Sequence, residues 1–193
     1  MKLRTLQFVL VAVLVILLGS LALACGGSDD DNGNGGETVA LDTYFERVKG
    51  IMDGASESSD DIESEMGDRI DAATDIEDIL DRLAQGLEKF QRLAERVRDD
   101  LNDISPPSEV EDQHREFTAL YSTTVSALGE LVAEVNDIDS DADDEVILEQ
   151  VTDFGTRVET AFSSLGTQGD LSCFELQGIA DENEIDIDLE CGD

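Results

Sequence analysis

Along four long stretches of this 193-residue chain, apolar residues recur at alternating steps of four and three. The first stretch is Leu41, Phe45, Val48, Met52, Ala55, Ser59, Ile62, Met66, and the second is Ile76, Leu80, Leu83, Leu87, Phe90, Ala94, Val97, Leu101, Ile104. A third runs Val110, His114, Phe117, Tyr121, Thr124, Leu128, Leu131, Val135, Ile138, and a fourth Ile147, Val151, Phe154, Val158, Ala161, Leu165. That spacing puts every member on one stripe of an α-helix, with acidic residues on the other faces. One such helix cannot bury its stripe alone, but four can bury theirs together. The short connections make neighbouring helices antiparallel. The pattern predicts an all-α, antiparallel four-helix bundle over 37–168, with helices of about 25 to 32 residues and a length of roughly 40 to 48 Å.

The boundaries carry their own chemistry. Thr74-x-x-Glu77 and Ser108-x-x-Glu111 have the form of capping boxes, which satisfy two orphan amides at a helix start. Pro106 and Pro107 end the second helix, because proline lacks an amide proton and disfavours a helical residue before it. Asp141 or Asp143 suits the start of the fourth helix, and Gly166 its exit. The serine-rich segment 54–61 is the place where the first helix breaks or bends. After 168 the character changes. Ser172-x-x-Glu175 offers another capping box for a short helix to about Ala180, and 185–190 alternates apolar and acidic residues as a strand does. Residues 169–193 are expected to form a C-terminal hook.

At the other end of the chain, Lys2 and Arg4 precede an unbroken apolar run from Phe8 to Leu18, then Leu21-Ala22-Leu23-Ala24-Cys25. A positive end, an apolar middle and small residues before a cut make an export signal. The run falls short of the roughly 20 apolar residues of a spanning helix, and Gly19 and Ser20 interrupt it. Ala22, Leu23, Ala24 and Cys25 resemble the lipobox of bacterial lipoproteins. The resemblance implies a signal peptide over 1–24, cleavage before Cys25, and acyl chains (palmitate among them) on that cysteine. Residues 25–36, rich in glycine and carrying Asp29 to Asp31, then read as a tether. The expected location is extracytoplasmic, lipid-anchored to the cell membrane on its periplasmic or cell-surface face. With Cys25 given to lipid, Cys173 and Cys191 remain as an even pair in an oxidising compartment, and a disulfide between them pins the hook. Pro106-Pro107-Ser108-Glu109-Val110 before a helix carrying His114, and the ending from Cys173 to Cys191, are similar to segments of uncharacterised acidic, all-helical bacterial lipoproteins.

Charge narrows the partners. Removing Lys2 and Arg4 from twelve basic side chains leaves ten against 47 acidic ones, a net charge of −37 on the remaining 169 residues. Such a surface repels nucleic acid and anionic headgroups and favours cations or basic partners. Adaptation to a saline environment accounts for the same excess.

Few residues carry candidate chemistry. Glu111-x-x-His114 places a carboxylate and an imidazole on one helix face, as in di-iron bundles, but those need a second such pair and His114 is the only histidine. A ligand contact through His114 and Glu111 competes with a histidine packed in the core. Asp137, Asp139, Asp141 and Asp143 resemble the start of a calcium loop, yet Ala142 stands where glycine belongs and Leu148 where the bidentate glutamate belongs. A weak calcium site there is the alternative to a solvated connection, and no other cofactor is expected. There is no phosphate-binding glycine loop, no Cys-x-x-Cys and no histidine-based nucleophile set. The chain therefore reads as a non-enzymatic binding or scaffold module, its partner a protein, a cell-wall component or a small solute.

Overall fold

The computed structural model describes residues 39–189 and Cys191. The four stripes become four helices: α1 (Leu41–Asp71), α2 (Ile76–Asn102), α3 (Glu111–Asn136) and α4 (Asp144–Glu182). Among the described residues there is no strand. Each helix packs on the next in chain order, and the protein is an antiparallel four-helix bundle. No helix among the described residues is long and apolar enough to cross a membrane.

Two apolar clusters fill the interior. At the end holding the α1–α2 and α3–α4 connections, Met66 and Ile70 meet Ile79 to Ala94, Leu128 to Val135 and Ile147 to Phe162. At the other end, Tyr44, Phe45, Val48 and Met52 meet Leu93 to Ile104, Val110, Phe117, Cys173, Leu176, Ala180 and Leu189. Ile62 and Tyr121 pack against both clusters and join them. Burying a large apolar side chain contributes about 1.5–3 kcal/mol, so these stripes drive assembly. α2 buries the widest sector, adding Ile79, Ala84, Gly86 and Leu93 to its stripe, because α1 and α3 flank it. Gly86 makes room for the Met66 side chain; a Cβ there would collide with the sulfur.

Several helix ends differ from the expectations above. The N-cap of α2 is Asp75, whose carboxylate accepts from the Asp78 amide at 2.9 Å, and Asp78 reaches back to the Thr74 amide at 3.3 Å. The box thus forms one residue later than Thr74-x-x-Glu77, since Asp75 is an equally good cap in the register the backbone adopts. Ser108 caps nothing: its hydroxyl turns to Glu109 at 3.1 Å, and the backbone turn Val110 N to Pro107 O leads into α3. Asp143 is the N-cap residue of α4, but only its backbone carbonyl is used, accepting from the amides of Val146 and Ile147. α1 runs unbroken through 54–61.

The largest correction concerns α4. It does not stop at Gly166, and Ser172 opens no separate helix; one helix of 39 residues continues to Glu182. Its buried stripe extends through Phe162, Gly169, Cys173, Leu176 and Ala180. A second step of four, from Val158 to Phe162, rotates the stripe and leaves Ala161 beside it. The pinned helical segment is therefore the last turns of α4 itself. After Asn183 the chain reverses: Glu184 has φ 59°, and the Ile185 amide reaches the Ala180 carbonyl at 3.0 Å. These bonds form a Schellman motif, with a glutamate where glycine is usual. Cys173 and Cys191 are bonded, their Cα atoms 5.6 Å apart. Gln177 clamps the returning segment at two points, donating to the Ile187 carbonyl at 2.9 Å and accepting from the Leu189 amide at 2.8 Å.

Candidate functional site

His114 is buried in the first turn of α3. Its stripe position carries it inward, where the Tyr44 hydroxyl from α1 meets Nδ1 at 3.3 Å and the Leu101 backbone of α2 bonds the ring. The two rings stand edge to face, centroids 5.6 Å apart, and Tyr44 packs likewise on Phe45 at 5.2 Å. A neutral imidazole satisfies this geometry, giving its N–H to a carbonyl and accepting the tyrosine proton on Nδ1. Burial pushes the imidazole pKa below its usual value, and the Leu101 bond opposes that in part. Desolvation also holds the Tyr44 hydroxyl far above its ordinary range, so it keeps its proton. Three helices thus meet at one imidazole ring.

Glu111 does not take part. It is exposed, whereas His114 one turn later is buried, so the pair does not converge on a ligand. The Glu-x-x-His spacing brings two side chains to one side of a helix, but the bundle surface passes between them.

The aspartates of the α3–α4 connection lie at the opposite end of the bundle from His114. Asp137, Asp139, Asp141 and Asp143 are all exposed, and within the connection Asp139 accepts from the Asp141 amide on its carboxylate at 3.0 Å and from the Ala142 amide on its carbonyl at 3.2 Å. Among the described residues no three histidine, cysteine or acidic side chains gather as a metal ion requires. Cys25 lies outside the described residues.

Two features escaped the sequence reading. Lys49 and Asp53 pair at 3.6 Å with the aspartate side chain only 9% exposed, and neither has a hydrogen bond among the described residues. Their i, i+4 spacing was visible, but their burial depends on what packs across them. The second is an open groove of about 820 Å³ between α1 and α2. Ile51, Leu93, Val97 and Ile104 floor it, and Gly50 and Gly54 leave it wide. Arg47 and Arg96 line it, the two cations without an ion pair among the described residues, in company with Glu46, Asp100 and Asp103. Its size suits a small solute or a segment of polypeptide. Comparison with family models, with curated proteins and with solved structures returns no match for this chain.

Proposed function

We propose that this protein is an extracytoplasmic lipoprotein, anchored to the membrane through Cys25, whose helical bundle binds or scaffolds a partner and does no catalysis. The observation that carries the reading is cysteine use. Cys173 and Cys191 are spent on each other, which suits an oxidising compartment, and Cys25 alone remains, directly behind an export signal and a lipobox-like run. A non-catalytic role is supported by His114, whose ring is committed to Tyr44 and Leu101 inside the interior. The α1–α2 groove is the surface we assign to the partner, a protein segment, cell-wall component or small solute. The test is the intact mass of the protein recovered from a bacterial membrane fraction. The expected species begins at Cys25 and carries acyl chains, while Cys25→Ser appears unprocessed or in the aqueous phase. A water-soluble product with an unmodified Cys25 overturns the proposal.

A further inference from the structure

The outer surface of α4 toward its C-terminal end combines low charge with exposed apolar side chains. From Thr160 to Phe174 the chain holds one charged residue, Asp170, although charged residues make up 31% of the sequence. In that sector Leu171 is 59% exposed and Phe174 55%, the highest values among the exposed large apolar side chains described. They stand three apart, so both project from one side of the helix. Cys173 between them is buried in the cluster around Tyr44 and Phe45, and Val39 packs on that same cluster. The apolar pair therefore lies at the end of the bundle where the chain arrives from Cys25. Fourteen residue steps, from 25 to 39, reach at most about 50 Å.

We propose that Leu171 and Phe174 seat the bundle on the lipid bilayer, entering the boundary between headgroups and acyl chains. The proposal rests on the reading of Cys25 as the lipidated residue. Leucine and phenylalanine on one face of a helix are the side chains that surface-lying helices bury at this boundary. Along most of the chain the same contact would press carboxylates against the headgroups; in this sector they are nearly absent, and the other charge-poor stretch, 117–129 of α3, holds no exposed large apolar side chain. A second copy of the chain fits the patch poorly. A stable dimer buries on the order of 1,200–2,000 Å², far beyond two side chains, and both copies are strongly negative. A bilayer asks for no complementary shape. Attachment through Cys25 also keeps the patch at an effective concentration of about millimolar, so a weak contact suffices. Glu175, exposed beside the patch, and Asp170 within it make neutral headgroups the preferred surface.

The chain has no tryptophan, which makes the test direct. Full-length lipidated protein carrying Phe174→Trp is reconstituted into phosphatidylcholine vesicles, with Val146→Trp as the control. Val146 is also exposed, at 43%, but adjoins Ile147 in the cluster at the opposite end. The Phe174→Trp emission is expected to shift to shorter wavelength and to be quenched about twofold by bromine on the acyl chains. The Val146→Trp emission stays that of water-exposed indole, and circular dichroism verifies that both variants fold. Water-like emission from both variants overturns the seat. So does a blue shift at Phe174→Trp that bromine does not quench, since that places protein over the patch. The intact mass of the same samples separates the two readings: no acyl chain on Cys25 removes the anchor and this proposal with it, whereas an acylated protein with Phe174→Trp in water loses only the seat.

Discussion

The two ends of the bundle are held by different physics. At the end with two connections, α1 to α2 and α3 to α4, a large apolar cluster from Met66 to Phe162 fills the interior. At the end where the described chain begins and finishes a single connection, 103–110, joins α2 to α3, and the first turns of α1 and the last turns of α4 are held by polar and covalent ties: His114 with Tyr44, the Gln177 clamp, and the disulfide to Cys191. Where α1 and α4 have no connection to a neighbouring helix among the described residues, specific bonds do what loop closure does for the other helix ends. A helix end with no connecting turn frays unless something docks it, and here the segment after Asn183 carries Ile185, Ile187 and Leu189 onto the second cluster.

The contrast can be broken from either side. Phe154 is 1% exposed in the connection-end cluster, and Phe154→Ala should cost about 3–5 kcal/mol by urea denaturation, with cooperativity lost throughout the bundle. Replacing Cys173 and Cys191 together by serine should cost about 3 kcal/mol for a loop of this size. Its signature is local: amide exchange should quicken in the first turns of α1 and in 183–189, while α2 from Ile79 to Phe90 stays protected. Equal quickening at both ends would erase the distinction between them.

His114 sharpens the comparison through pH. Its folded pKa lies below the usual 6.5 because burial disfavours the charged ring. The unfolded chain therefore binds the proton more readily, and the stability held above pH 6.5 is lost as the pH falls through the folded value. His114→Gln should remove that component. The difference between the stability curves of wild type and variant, measured from pH 8 to 4, cancels the other titrating groups and should slope within this window alone. A flat difference would mean the ring is solvated. Glu184→Gly should raise stability by about 1 kcal/mol, since glycine adopts the left-handed backbone without a Cβ penalty. Smallest of all, calcium should stabilise the protein no more than sodium does at equal ionic strength, read as melting temperature. Extra stabilisation that Asp139→Asn and Asp141→Asn abolish would install a site in the α3–α4 connection.

Much of this architecture is legible in the residues, and the exceptions have physical causes. The α2 stripe from Leu80 to Leu101 is buried as its spacing requires. The helix end placed at Gly166 is absent because glycine weakens a helix by only about 1 kcal/mol. Cys173, Leu176 and Ala180 find a core beyond it, and their burial outweighs that penalty. Thr74 and Asp75 compete for one cap, and the choice between them belongs to the backbone's approach to α2. For the candidate site, the stripe places His114 inward, but Tyr44 is 70 residues away and no local pattern pairs them.

By itself the amino-acid order determined the number of helices, their inward faces, the cysteine pairing and the surface charge. All of these follow from short-range periodicity, from residue counts and from what water rejects. Only the tertiary structure decided that α4 runs on past Gly166, that His114 answers to Tyr44 rather than Glu111, and that Leu171 and Phe174 stay uncovered. Each of those depends on which surface arrives opposite a residue, and that is set by packing between segments distant along the chain.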